Sequence, residues 1–286
     1  MRNLFEGLAL LDPKGLVGLS ERTLMLHAVE FMLIVAVPVY ILIFFFAWWY
    51  RAGNTKATYK PDWEHAKVDE LIWWAIPFEI VLILGALTWT STHQLDPRAP
   101  LEGPTPIVIQ VVALDWKWLF IYPEENIATV NYVAVPVGRP VRFDVTADAP
   151  MNSFWIPRLG GQIYAMTGMV NSLNLVANEA GTYPGVSANY SGEGFAKMKF
   201  TAEALPEEVF HSWIVRARAS SRILTHDEYT LLRERSVMDE PLYYAEVEQN
   251  LYNTIVTQFT DAASELVHEG KTWPSGPERA HVPAHE

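Results

Sequence analysis

The hydrophobic pattern divides the chain into stretches of different period. Phe31 to Trp49 is uncharged and apolar throughout; at about 1.5 Å per residue its roughly 19 residues reach about 28 Å, enough to cross a bilayer core. Trp48, Trp49 and Tyr50 close it as an aromatic belt. A second run of similar length, Leu71 to Thr90, contains Trp73, Trp74 and Trp89 near its ends. The pattern predicts a transmembrane hairpin over residues 24–94, with spans at 27–50 and 71–92 and a connecting loop at 51–70. That loop carries Arg51, Lys56, Lys60 and Lys67, and basic residues in a short connection favour the cytoplasmic side. Both ends of the hairpin then lie outside. Residues 1–23 form a short outer head that lacks the basic start, long apolar run and small-residue cleavage site of a secretory signal.

Beyond Thr105 the period drops to two. Ile107 to Leu114 is rich in β-branched residues, and Val141-Arg-Phe-Asp-Val-Thr146 alternates apolar with polar, as a half-buried strand does. Pro136-Val-Gly-Arg-Pro140 reads as the turn that joins it to a strand over Ala128 to Val135. Leu173 to Ala177 and Met198 to Ala202 add short strands, so residues 105–204 are expected to form a β-sandwich. Helical signals return after Leu205: Pro206 with Glu207 and Glu208 opens one helix, and Thr225-x-x-Glu228 is a capping box for another. Tyr244, Val247, Leu251, Ile255 and Phe259 recur every three or four residues as one apolar face. Residues 205–262 therefore read as an aromatic-rich helical extension docked on the sandwich. Residues 263–286 read as a disordered tail, in which His281 and His285 are sparse histidines rather than a metal site.

Composition narrows the function. A hydrophobic fraction of 50% over 286 residues, with 13% aromatics, implies a protein part membrane and part globular. There is no cysteine, which removes disulfides, thiolate metal sites and cysteine nucleophiles. It also removes a lipidated cysteine from the chain as it stands, so either the spans alone anchor it or a precursor end precedes it. A formal net charge of -12 argues against nucleic acid as a partner, since phosphate backbones call for clustered basic residues. The sequence contains no Walker loop, no Gly-x-Gly-x-x-Gly, no Ser-His-Asp set and no acid pair suited to hydrolysis.

Two segments carry a more specific signal. Met151-Asn-Ser-Phe-Trp-Ile-Pro157 and Gly181-Thr-Tyr-Pro-Gly-Val-Ser-Ala-Asn-Tyr-Ser-Gly-Glu-Gly-Phe-Ala-Lys-Met198 resemble the copper-binding parts of subunit II of the haem-copper respiratory oxidases. In the cytochrome c oxidases of that family the first segment has a histidine before Ser-Phe-Trp-Ile-Pro, and the second reads Cys-x-Glu-x-Cys-x-x-x-His-x-x-Met around a dinuclear copper centre. The matching positions here are Asn152, Ser187, Asn189, Ser191, Phe195 and Met198. Only the methionine survives. A copper–thiolate centre needs thiolate sulfur and imidazole nitrogen, so no metal is expected in this chain. Asp115-Trp-Lys-Trp118, Gly160-Gly-Gln-Ile-Tyr-Ala-Met166 and Leu11-Asp-Pro-Lys-Gly15 are similar to the family as well, and the resemblance runs over nearly the whole chain.

A copper-free member is similar to subunit II of the cytochrome bo-type quinol oxidases. The resemblance implies a two-helix hairpin, a periplasmic cupredoxin-like sandwich and a helical C-terminal extension in a bacterial inner membrane. It implies a complex that oxidises ubiquinol, reduces O2 to water and pumps protons, with the haems and active-site copper in subunit I. Subunits I, III and IV, membrane lipid and the quinol pool are the implied partners. It also implies a proton-channel entrance at Glu70 or Asp69: position relative to Pro77 favours Glu70, position after Lys67-Val68 favours Asp69. Trp116 and Trp118 match an aromatic stretch that relays electrons from copper to haem; with the ligands lost, they are expected to pack against subunit I. Glu79 and Glu30 are carboxylates inside the spans with no assigned role, where a charge costs roughly 2.5–3.5 kcal/mol on insertion scales unless partnered or protonated. A rival reading is a free-standing, membrane-anchored binding module that captures a ligand at the degenerate loop.

Overall fold

The computed structural model describes residues 8–58 and 66–268. Two long helices come first, α1 (Leu16–Trp49) and α2 (Lys67–Gln94), both long and apolar enough to cross a membrane. Nearly all of their side chains are exposed within this chain, as expected of surfaces that face lipid or another protein. α1 starts earlier than the expected span because its first turn is seated on the globular part: Gly18 N–H donates to the Leu159 carbonyl at 3.0 Å and Lys14 N–H to Arg158 at 2.6 Å. The far end of α2 returns to the same place, where Asn174 N–H donates to the Pro97 carbonyl at 3.0 Å. The hairpin thus has both ends at the sandwich.

Ten strands follow: β1 (Ile107–Leu114), β2 (Lys117–Tyr122), β3 (Ile127–Val130), β4 (Tyr132–Pro136), β5 (Val141–Ala147), β6 (Asn152–Trp155), β7 (Ile163–Ala165), β8 (Asn171–Leu175), β9 (Gly181–Ser187) and β10 (Lys199–Leu205). The extension then comprises α3 (Glu207–Arg218), β11 (Ile223–Leu224), α4 (His226–Leu232), β12 (Leu242–Tyr244), β13 (Glu246–Val247) and α5 (Leu251–His268). Two sheets face each other, one ordered β12-β3-β2-β1-β5-β8 and the other β4-β10-β9-β6-β7. The expected strand over Ala128 to Val135 is two strands in different sheets. Asn131 breaks it, adopting a left-handed φ of 56° and accepting from Trp118 N–H through its side chain at 2.8 Å. Asparagine tolerates that conformation better than most residues, which is the local reason the chain changes sheet there.

β2 shows how the core is built. All six of its residues are buried, although adjacent side chains point to opposite faces. Trp118, Phe120 and Tyr122 enter the core between the sheets with Phe154, Phe200 and Trp213. Leu119 and Ile121 enter a second cluster on the outer face, beneath Leu224, Tyr229, Leu232, Tyr244, Leu251, Tyr252 and Ile255 of the extension. The extension is therefore a lid over one sheet face, and it lengthens that sheet by pairing β12 with β3. Each large apolar side chain so covered contributes about 1.5–3 kcal/mol.

Both expected helix starts are present at Glu207 and at Thr225, whose hydroxyl accepts from Glu228 N–H at 3.2 Å. The expected apolar helix running from Tyr244 is corrected: Tyr244 and Val247 belong to β12 and β13, and only Leu251 onward is helical. Both residues face the second cluster from strands, so spacing alone mimicked a helix. The tail boundary at 263 is corrected as well, because α5 continues to His268. Residues 269–286, with His281 and His285, lie outside the described residues, as do Lys60 and the start of the head.

Candidate functional site: the loop at the degenerate copper motif

β6 and β9 run antiparallel with Phe154 opposite Ser187, which places Asn152 and Ser187 side by side. The Ser187 hydroxyl donates to Asn152 Oδ1 at 2.8 Å, and Asn152 Nδ2 donates to the Pro150 carbonyl at 2.7 Å. The loop leaves β9, makes a single 3-10 turn at Phe195–Lys197 and returns to β10. Its two ends are tied by Ser187 N–H donating to the Met198 carbonyl at 3.3 Å. Asn189 Nδ2 reaches across to the Met151 carbonyl at 3.0 Å, and the Ser191 hydroxyl lies 4.0 Å from Met198 Sδ. Phe195 packs its ring edge-on to Tyr190 with centroids 5.6 Å apart.

The structure therefore gathers all six positions into one small region, the Phe195 carbonyl accepting from Met198 N–H at 3.0 Å. Asn152, Ser187 and Asn189 hold strand ends and loop by neutral hydrogen bonds, Ser191 meets Met198, and Phe195 makes an aromatic contact. These donors do not fit a dinuclear copper centre. Amide and hydroxyl oxygens are hard, weakly basic ligands, the phenyl ring has no lone pair to offer, and one thioether cannot hold the ion alone. Among the described residues no three His, Asp or Glu side chains converge as a metal cluster requires.

Trp116 belongs to this region. It sits in the two-residue turn between β1 and β2, where Leu114 pairs with Lys117, and takes a left-handed φ of 66°. Its indole N–H donates to the Ser191 carbonyl at 3.1 Å, and its ring lies over Gly194, where an added Cβ would come within 2.2 Å of the ring. Trp116 is half-buried and clasps the loop. For Trp118 the expected partner contact is corrected. Its side chain is 0% exposed among Phe154 and Phe200, leaving no surface for another chain to touch; its indole N–H has no acceptor among the described residues.

Sequence reasoning missed the polar contacts that bind the extension to this end of the sandwich. Asp148, just past β5, accepts from the Tyr229 hydroxyl at 2.6 Å and from Arg233 Nη2 at 3.0 Å. Burial, reinforced by the Asp148 charge, pushes the Tyr229 phenol far above its ordinary value. Lys117 donates to the Glu234 carbonyl at 2.7 Å and to the Ser236 hydroxyl, and Arg235 pairs with Asp115 at 3.2 Å. Burial lowers the Lys117 ammonium against the opposing pull of Asp115 and Glu234. A lysine inside an otherwise aromatic strand was the one available signal.

The four hairpin carboxylates singled out above make no hydrogen bond or ion pair with this loop among the described residues. Asp69 and Glu70 are in the first turn of α2, half-buried and exposed respectively, while Glu79 and Glu30 are exposed within this chain.

Residues 124–205 match the family described as cytochrome c oxidase subunit II, periplasmic domain, and residues 218–262 match the COX aromatic rich motif. The chain is 49% identical over 253 residues to a cytochrome bo(3) ubiquinol oxidase subunit 2 of Pseudomonas aeruginosa, covering 88% of this chain and 76% of that one. This chain belongs to the family of ubiquinol oxidase subunit 2. Similarity extends to the ubiquinol oxidase subunit 2 of Acetobacter aceti, 46% identical over 89% of this chain and 83% of its own, and to the quinol oxidase subunit 2 of Bacillus subtilis, 37% identical over 81% and 73%. The sandwich is the cupredoxin-like domain of that family, and membership favours an oxidase subunit over the free-standing binding module.

Proposed function

We propose that this chain is the non-redox subunit II of a complex in the bacterial inner membrane that oxidises ubiquinol, reduces O2 to water and pumps protons. The observation that carries this reading is the loop: a domain of the copper-binding family whose ligand positions are filled by neutral groups bonded to one another. Electrons then bypass this chain, entering from quinol into subunit I, which holds the haems and the active-site copper. The sandwich faces the periplasm, the hairpin packs on subunit I, and subunits III and IV and membrane lipid complete the surroundings. The work of this chain is to stabilise subunit I and to supply, from Glu70 or Asp69 in the first turn of α2, the acid at the mouth of a proton channel. An acid there is favoured by the helix N-terminus in any case, so function is the distinguishing test. The test is to purify the complex and measure haem, copper and oxygen uptake driven by quinol or by cytochrome c. Haem, one copper per complex and activity on quinol alone are expected; extra copper with cytochrome c activity overturns the reading. In the same preparation, Glu70→Ala and Asp69→Ala are each assayed for quinol-driven uptake. Loss confined to one variant identifies the channel acid, and loss in neither removes the role from this chain.

A further inference from the structure

We propose that Glu79 is a neutral, hydrogen-bonded anchor through which α2 grips a transmembrane helix of the haem-bearing subunit. The inference rests on the reading above in needing that subunit as partner. Glu79 stands 12 residues into the 28-residue α2, about 18 Å from the start of a helix about 42 Å long, near the middle of a helix long and apolar enough to span a membrane. The side chain is exposed within this chain and has no hydrogen-bond or ion-pair partner among the described residues. Hydrocarbon offers it none, and a carboxyl at that depth is retained only against a polar complement or a water-filled space.

Helix geometry says which way it points. Ile80 and Leu84 line the groove that α2 shares with α1, and Leu87 and Ser91 continue that half-covered stripe. At about 100° per residue, Glu79 lies a quarter-turn off the groove, on a face that α1 does not cover. Ala75, Ile76, Leu82 and Ile83 surround it on that face, so a neighbouring helix meets an apolar surface interrupted only by the carboxyl, with Ala75 the one small residue beside it. The carboxyl's hydrogen-bonding capacity selects the occupant's chemistry. A purely apolar helix would leave the carboxyl unsatisfied. Protonated, it donates one hydrogen bond and accepts another, matching a hydroxyl, an amide or an exposed backbone carbonyl on the partner.

The test uses the whole complex, captured from membranes through a tag on this chain, with haem per tagged chain followed as detergent is raised. Wild type, Glu79→Gln and Glu79→Leu are compared. Leucine is expected to weaken retention of the haem subunit about tenfold, the scale of a membrane hydrogen bond with its desolvation. Glutamine, which keeps a donor and an acceptor, is expected to weaken it less than about threefold. Infrared difference spectra of wild type against Glu79→Gln should show a protonated carboxyl band lost. Wild-type retention by Glu79→Leu overturns the anchor. Equal loss in Glu79→Gln and Glu79→Leu, or absence of the carboxyl band, overturns the neutral form. Failure of the wild-type chain to bring down any haem refutes the oxidase reading itself.

Discussion

Replacing Tyr229 by Phe removes a single oxygen from the contact that fastens α4 to the sandwich. That oxygen donates to Asp148 Oδ2 at 2.6 Å, and the Asp148 side chain is only 1% exposed. A hydrogen bond to a charged group contributes about 1.5–3 kcal/mol, so Tyr229→Phe is expected to cost about 2 kcal/mol. Arg233, the second partner, is 42% exposed; solvent screens it, and its pairing adds no more than about 1 kcal/mol. Asp148→Ala loses both contacts and leaves the Tyr229 hydroxyl buried without an acceptor, at a cost of about 3 kcal/mol. The double variant should cost no more than Asp148→Ala alone, giving a coupling of about 2 kcal/mol. Thermal unfolding of the full chain in detergent, followed by near-ultraviolet circular dichroism, reads each step as about 2–4 °C per kcal/mol for a domain of this size. Simple additivity of the two single variants refutes the reasoning, because the hydroxyl and the carboxylate would then act independently despite their distance.

Three further outcomes follow from the same geometry. Gly185→Ala places a Cβ 2.1 Å from the Phe200 ring; overpacking should cost about 1–3 kcal/mol, and a melt showing no loss, or no recovery with Phe200→Leu added, contradicts it. Asn152→His breaks the bond to Ser187 without supplying the four ligands still missing at Ser187, Asn189, Ser191 and Phe195, so no copper-dependent near-infrared absorption should appear, and its appearance would mean the ligand positions are misassigned. Burial, then the neighbouring Glu228 charge, pushes Tyr244 up to about 12 from its usual 10.0, and Tyr252 is raised in the same direction. Their folded-state pKa values exceed the unfolded ones, so this stability is full below pH about 10 and lost as pH rises toward about 12; melting temperatures that stay flat across that window sink the argument.

Period and length made the hairpin legible, because two apolar runs of this length are long enough to cross a membrane. The helix starts at Glu207 and Thr225 were legible through local chemistry that acts within one turn. Asn131 was not. Its effect depends on a left-handed backbone and on a Trp118 amide 13 residues away, and neither is visible in the apolar run that surrounds it. Tyr244 and Val247 misled for a related reason: they belong to two separate short strands, β12 and β13, and the break between the strands lets residues three apart meet the same cluster as a helix face would. The candidate loop was legible residue by residue through its spacing, but its hydrogen bonds were not, since Asn152 and Ser187 are 35 residues apart and meet only because β6 pairs with β9. Trp116 and Trp118 are two residues apart, but Trp116 lies in the turn with a left-handed backbone while Trp118 lies in β2, and that sends one ring to the loop and the other into the core.

The turn between β1 and β2 explains why loop and extension stand or fall together. Trp116 leaves it toward the loop, donating to Ser191 and filling the space above Gly194. Asp115 and Lys117 leave it toward the extension, engaging Arg235, Glu234 and Ser236. Lys117 is almost wholly buried, and a buried ammonium that loses its acceptors must either find water or drag its strand outward. Either response moves the turn, and with it the left-handed Trp116 whose indole is the loop's contact on that side. In a metal-binding relative of such a domain the ligand bonds themselves would hold the loop. Here its closure rests on bonds of about 1 kcal/mol each, so a covered outer face and a fixed β1–β2 turn become conditions for the loop's shape rather than additions to it.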